Sequence, residues 1–224
     1  MNLGEQVQGR AGAHTRRWPA SAAVITALAF QLVVPVEVAP EPRWLIPACE
    51  AALLLPLVWT SPHHLRRDSP WLRRIALGLV ATLAIANAGY LARLVEYVVI
   101  GQGGGRILVQ AALLIWVTNI VAFAVWFWEI DRGGPFARAP EHFRPARRPD
   151  LLFPQMATQP IGWDRRQWLP GFIDYLFVAF TTATTFGPTD TMPLSTPAKS
   201  LTIAEAGVSL LTLAIVVARA ANIL

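Results

Sequence analysis

The feature that most constrains this chain is a series of apolar stretches, each about as long as a bilayer is thick. Four of them are Trp18 to Val38, Ile75 to Ile100, Ile107 to Ile130 and Ala198 to Leu224. A helix of about 20 apolar residues crosses a hydrocarbon core of about 30 Å. A fifth stretch, Leu45 to Trp59, is shorter and contains Glu50, which suits a thin span or a partly inserted helix. The pattern predicts an all-α integral membrane protein that crosses the cell membrane several times.

Composition agrees with a membrane protein and argues against a nucleic-acid-binding one. Of the 224 residues, 54% are hydrophobic and 15% are charged. The net charge of +5 comes from arginines grouped at the ends of the apolar stretches, which is typical of membrane topology. We therefore expect the lipid bilayer as partner and no nucleic acid. The lone Cys49 excludes a disulfide within one chain.

The segment from 131 to 168 is rich in Pro, Arg and Gly, so we expect it to lie outside the bilayer. It is followed by "DYLFVAFTTATTFGPTDTMPLSTPAK", Asp174 to Lys199. This stretch resembles the pore helix, selectivity filter and post-filter turn of the potassium-channel superfamily, which typically reads D-x-L-Y-F-S-F-x-T-x-T-T-V-G-Y-G-D-x-x-P-x-T. The positions that match without a gap are Asp174, Leu176, Phe180, Thr182, Thr184, Thr185, Gly187, Asp190 and Pro193.

The resemblance implies two parts of the chain: N-terminal transmembrane helices in 1–105 and a pore-type module in 106–224. In that module an outer helix, a pore helix and an inner helix would assemble as a homotetramer, because a closed ring of filter carbonyls needs four copies. The implied ion pathway comprises Thr184, Thr185, Phe186, Gly187, Pro188, Thr189 and Asp190. The implied supports of the pore and inner helices are Asp174, Glu205 and Gly207.

The filter departs from the family where V-G-Y-G is replaced by Phe186, Gly187, Pro188 and Thr189. Proline fixes φ and removes an N–H, and Thr189 replaces a glycine that adopts a left-handed conformation, at a cost of roughly 1–2 kcal/mol. Thr185 can still supply an inner ring. We therefore expect a cation channel with weak or altered potassium selectivity, with monovalent cations in the pore and no other cofactor or metal.

Two alternatives remain open at this stage. Leu169 to Phe186 is about 18 apolar residues long and could be an ordinary span of a six-span, transporter-like protein. The arginines favour six spans: Arg10, Arg16, Arg17, Arg66, Arg67, Arg73, Arg74 and the seven from Arg132 to Arg166 would then share one side, which the positive-inside rule makes cytoplasmic. The other alternative is a non-conducting membrane scaffold or sensor with a pore-like fold. A pore loop of the family type would place the segment 131–168 outside the cell.

The remaining polar residues suggest structural roles. Arg93 and Glu96 are spaced for an i,i+3 ion pair, and Asp174 either caps its helix or braces it against Glu205. His63 and His64 are adjacent and make a poor metal pair, and "GQGGGR" lacks the features of a phosphate loop. The sequence contains no convincing nucleophile–base pattern, so we do not expect an enzyme.

Overall fold

A computed structural model describes residues 18–60, 70–101, 104–138, 148–158, 168–187 and 190–221. The longer helices are α1 (Trp18–Val33), α2 (Leu45–Thr60), α3 (Pro70–Val99) and α4 (Gly105–Ile130). After them come a 3-10 turn (Asp131–Gly133) and the single-turn helices α5 (Pro135–Arg138) and α6 (Pro154–Ala157), with strand β1 (Leu151–Leu152) between these two helices. The chain continues through α7 (Phe172–Thr185), strand β2 (Met192–Pro193) and α8 (Thr196–Ala221).

Three of the helices, α3, α4 and α8, are long and apolar enough to cross a membrane by length and composition. The mostly helical chain is thus compatible with a membrane protein, as predicted. Helices α1, α2 and α7 are apolar but shorter. The predicted boundaries of the three long helices agree with the observed ones to within a few residues, because Gly, Pro or charged residues interrupt the apolar runs at both ends of α3 and α4 and at the start of α8.

Helix α4 is the central element, and it packs against α1, α3, α7 and α8. Its C-terminal half is almost entirely buried, including Ala122, Ala124 and Phe127. One apolar core contains side chains of α1, α2, α3, α4 and α7 together. The packing therefore continues across residue 105, where the parts 1–105 and 106–224 were predicted to meet.

The helix ends lie in two groups. We call the first the loop end: it holds the last turn of α4, both strands and the first turns of α7 and α8. Ala20, Leu57 and Trp128 line one small cavity, so α1 begins and α2 ends at the loop end too. At the opposite end, the Arg219 guanidinium near the end of α8 donates to the Val98 carbonyl of α3 over 3.1 Å. Helices α1 to α4 therefore alternate in direction.

Candidate functional site

Helix α7 begins at the loop end with a cap made by its own first turn. Gly171 precedes the helix in an extended conformation, and its N–H donates to Asp174 Oδ2 over 2.7 Å. This contact satisfies one of the backbone donors that a helix start leaves free. Asp174 therefore has the capping role, the plainer of its two predicted roles. The structure gives no contact for the alternative brace between Asp174 and Glu205.

From this start, α7 runs along α4 toward the middle of the fold. Phe172 packs edge-on against Trp128 with ring centroids 6.1 Å apart, and Phe180 packs against Trp116 at 6.4 Å. Trp116 lies twelve residues before Trp128, about 18 Å along the helix axis. The 14 residues of α7 extend about 21 Å, less than the hydrocarbon thickness of about 30 Å. Helix α7 thus descends part of the way along α4 and ends there.

The chain then returns to the loop end. Strand β2, which follows α7, pairs antiparallel with β1, which precedes it: Leu151 faces Pro193 and Leu152 faces Met192. The Leu194 N–H also donates to the Asp150 carbonyl over 2.8 Å. Seven residues separate Thr185 from Met192, and an extended chain covers about 23 Å in that length, enough to retrace α7. Both flanks of α7 therefore lie at one end of the helices.

Asp131 holds the loop end together. Its side chain is fully buried. Oδ1 accepts the backbone N–H groups of Asp150 (2.8 Å) and Leu151 (3.4 Å), and Oδ2 accepts the Tyr175 hydroxyl at 2.6 Å. One carboxyl group thus joins the end of α4, the segment before β1 and the first turn of α7.

Arg138 completes this junction from the other side. It is buried, it donates to the backbone carbonyls of Asp131 and Trp128 (2.7 Å to the latter), and its guanidinium lies 5.0 Å from the Tyr175 ring centroid. Gly134 makes the turn between Asp131 and Arg138 possible. It has φ of +98°, and a Cβ at this position would lie only 3.2 Å from the Glu129 carbonyl oxygen. Any other residue here would strain the turn.

The far end of α7 is polar. The Thr184 hydroxyl reaches the Phe180 carbonyl (2.9 Å), and the Thr185 hydroxyl lies 2.7 Å from the carbonyls of both Thr181 and Gly187. Phe186 ends the helix in a left-handed conformation with φ of +61°. The side chains of Thr184, Thr185, Phe186 and Asp190 are exposed on the single chain, Gly187 is half-buried, and Pro188 and Thr189 lie outside the described residues.

The last turn of α7 contains no charge that offsets the helix dipole. Helix α7 has Asp174 in its first turn and no basic residue in its last turn. The negative end of its dipole, equivalent to about half an elementary charge, is therefore not neutralised by a side chain of the same turn. Irregular backbone at membrane depth is tolerated only where protein covers it or where it lines a cavity.

Helix α8 meets α4 through a polar network. The Asn119 Nδ2 atom lies 3.1 Å from Ser209 Oγ and 3.4 Å from the Glu205 carbonyl, and Asn119 Oδ1 accepts from Asn87 Nδ2 of α3 at 3.3 Å. Glu205 is fully buried. Gly207 lies on the opposite, exposed face of α8 and has open space around it.

Other residues singled out in the sequence have plain roles. Arg93 and Glu96 form an exposed ion pair at 2.8 Å, worth less than about 1 kcal/mol at such a site. Cys49 is free and exposed, whereas His63 and His64 lie outside the described residues. Within the described ranges, no group of three or more His, Cys, Asp or Glu residues could hold a metal ion.

Sequence reasoning did not find the junction of Asp131, Arg138 and Tyr175. Asp131 and Tyr175 are 44 residues apart in the chain, and a segment of irregular composition separates them, so no local pattern links them. The one available signal was the "DRGGP" turn, whose glycines indicate a special backbone at the end of α4. The buried pair of Gln31 and Glu50, 3.3 Å apart, was equally hidden, because the two residues lie on different helices.

Comparison with known proteins gives no match: no family model, curated protein or solved structure is significantly similar to this chain.

Proposed function

We propose that the chain is one subunit of a homotetrameric membrane pore for monovalent cations, in which α4 is the outer helix, α7 the pore helix and α8 the inner helix. The observation that carries the proposal is the path of α7. This helix enters from the loop end, stops partway along α4, and is followed by a chain that returns to its starting level. Such a path is the one expected of a pore helix and its return loop. The resemblance between residues 174–199 and potassium channels implies the same arrangement.

The exposed polar turn supports an assembly of several copies. On a single chain, Thr184, Thr185 and Phe186 are exposed at a depth where lipid cannot satisfy polar backbone. Further copies around an axis would cover these groups, and the space between copies would hold water or ions. The uncompensated C-terminal dipole of α7 would then point toward this space and favour cations there.

Phe186 supports the alternative of a non-conducting scaffold or sensor. The residue has φ of +61°, whereas a potassium-type filter continues from this position as a run of carbonyls that coordinate the ion. The left-handed turn at Phe186 interrupts that run directly after Thr185. We therefore expect slow cation flux with little preference for potassium over sodium, and no flux if the scaffold alternative holds.

Flux through liposomes tests the proposal. Purified protein should give potassium flux above that of empty liposomes, and Thr185→Val should lower it severalfold because it removes a hydroxyl while preserving shape. The matched control is Thr26→Val on α1, whose exposed hydroxyl makes the same kind of contact to a carbonyl four residues earlier, at 2.9 Å. Tetramers without flux would support the scaffold, and equal effects of the two variants would contradict a role for Thr185.

Changing the filter tests the same proposal from the other direction. Replacing Phe186, Gly187, Pro188 and Thr189 by Val-Gly-Tyr-Gly should raise the selectivity for potassium over sodium, because glycine at position 189 adopts positive φ without cost. Strong potassium selectivity of the unchanged protein would contradict this account of the filter.

The side of the membrane at which the loop end lies is a separate part of the proposal. The resemblance implies the outside. The arginines favour the cytoplasm: the described ones at the loop end are Arg73, Arg74, Arg132, Arg138 and Arg148, and those toward the opposite end are Arg43, Arg93, Arg106 and Arg219. Since the positive-inside rule concerns short loops near helix ends, an inverted pore loop that opens to the cytoplasm would satisfy both the path of α7 and the charge pattern.

A further inference from the structure

Glu205 stands out as a carboxyl group buried in the contact between α8 and α4. Its side chain is fully buried, and neither carboxyl oxygen has a hydrogen-bond partner among the described residues. It lies nine residues into α8, about 14 Å along the axis, within one of the three helices long enough to span a membrane. Ionisable groups at such positions are rare and mark proton or ion sites.

The Asn119, Ser209 and Asn87 side chains, which link α8 to α4 and α3 beside Glu205, are occupied with one another and with the backbone. The Asn119 amide is directed at the Glu205 backbone carbonyl (3.4 Å) and at Ser209 Oγ (3.1 Å), and it accepts from Asn87. All three side chains are uncharged. The network therefore positions the backbone of α8 at residue 205 and leaves the carboxyl group unpaired.

No charged side chain compensates for Glu205 among the described parts of the helices that pack against α8. The charged residues of these helices stand near their ends: Arg73, Arg74, Arg93 and Glu96 on α3, Arg106 and Glu129 on α4, and Asp174 on α7. On α8 itself, Lys199 is exposed and lies six residues away, about 9 Å along the axis, and Arg219 donates to the Val98 carbonyl at the opposite end. An ionised carboxylate in such surroundings is strongly disfavoured.

We infer that Glu205 is a proton-binding site inside the membrane, and that loss of its proton loosens the contact between α8 and α4. The carboxyl group holds its proton in the packed arrangement because the charged form has neither solvent nor a partner there. It can ionise only when α8 moves far enough for water or a cation to reach it. Proton binding and the position of α8 are therefore linked, since each favours the same arrangement. The inference does not depend on whether the protein conducts.

A hydrophobic carbodiimide reports directly on such a carboxyl group. The proton moves to a nitrogen of the reagent while a carboxyl oxygen bonds to its central carbon, so the adduct contains all atoms of both reactants. Mass spectrometry of the full-length protein should locate an adduct at Glu205. Its yield should fall as the pH is raised through the midpoint of this site, since the protonated fraction drops tenfold per pH unit above the midpoint. Exposed Glu96, paired with Arg93, is the control that should not react.

A buried cysteine reports on the position of α8. Thr212 is fully buried on this helix and its hydroxyl donates to the Val208 carbonyl of the same helix at 2.7 Å. In Thr212→Cys with Cys49→Ala, the rate of reaction with a membrane-permeant maleimide should rise with pH several times more than the growing thiolate fraction of an exposed cysteine accounts for. With Glu205→Gln added, which mimics the protonated state, this excess should disappear and only the pH dependence of thiolate formation should remain.

Two results would overturn the inference. The first is the absence of an adduct at Glu205 at every pH in the unchanged protein, a measurement that requires no variant to fold. The second is a pH dependence of maleimide labelling at position 212 that is the same with and without Glu205→Gln. Absence of the adduct would leave the proposed pore untouched, and failure of conduction would leave the proton site untouched, so the two proposals are tested separately.

Discussion

Tyr175→Phe tests the junction that holds the start of α7 against the end of α4. The variant removes a hydroxyl that donates to Asp131 Oδ2 at 2.6 Å and keeps the ring. The ring contacts are therefore preserved: Phe153 lies edge-on with centroids 5.4 Å apart, and the Arg138 guanidinium lies 5.0 Å away. The change thus isolates one hydrogen bond in a fully buried place.

The expected loss of stability follows from that geometry. A hydrogen bond to a charged group contributes about 1.5–3 kcal/mol, and the Asp131 oxygen that loses its donor is buried. For a chain of this size, 1 kcal/mol corresponds to about 2–4 °C in the unfolding temperature, so we expect a decrease of about 3–12 °C. In a double-mutant cycle with Asp131→Asn, the two changes should couple by about 1 kcal/mol or more.

Thermal unfolding of the purified protein in detergent, followed by tryptophan fluorescence, measures this loss. The matched control is Tyr97→Phe, because the Tyr97 hydroxyl has no hydrogen bond to any described residue and the variant keeps the ring, which lies 5.7 Å from the Arg93 guanidinium. That variant should change stability by less than about 0.5 kcal/mol. The reasoning is wrong if Tyr175→Phe unfolds at the same temperature as Tyr97→Phe.

The remaining stability predictions use the same assay. Asn119→Ala should destabilise the protein by about 1–2 kcal/mol, because each polar contact between membrane helices contributes about 0.6–1.7 kcal/mol. Ser209→Ala should destabilise it less, and equal losses in the two variants would contradict the central place of Asn119 in the network. Tyr90→Phe should leave the stability unchanged or raise it, because the buried Tyr90 hydroxyl lacks a partner among the described residues and burying such a group costs free energy. A clear loss of stability would show that the hydroxyl has a partner. Asp174→Ala should cost about 1 kcal/mol through the lost cap to Gly171, and Asp174→Asn should cost less; no loss in either variant would contradict the capping role.

The helices could be predicted from the sequence because each is a single apolar run with interrupting residues at its ends. The span predicted at Ile107 to Ile130 is α4, Gly105–Ile130. The first stretch was predicted to continue to Val38, but α1 ends at Val33, since Pro35 has no backbone N–H with which to continue the helix. These helix boundaries are set by residues next to them in the chain, so they can be predicted from the sequence.

The path of α7 depends on contacts that a sequence does not display. An apolar run of about 18 residues is long enough to cross or to descend and return. The hydrogen bond between Tyr175 and Asp131 and the pairing of β1 with β2 place both flanks of α7 at one end of the helices. Each contact joins residues about 40 positions apart in the chain. The burial of Glu205 against Asn119 is also a tertiary property, because its place within an apolar helix indicates depth and says nothing of which face it occupies.

The side of the membrane at which labels react tests the central claim most directly. Cysteines would replace Ala157 before α7, Met192 after it, and Gly104 at the opposite end, each exposed, in a chain with Cys49→Ala. With an impermeant thiol reagent on sealed spheroplasts, positions 157 and 192 should react from the same side and position 104 from the other. Reaction of 157 and 192 from opposite sides would show that α7 crosses the membrane and would contradict the account.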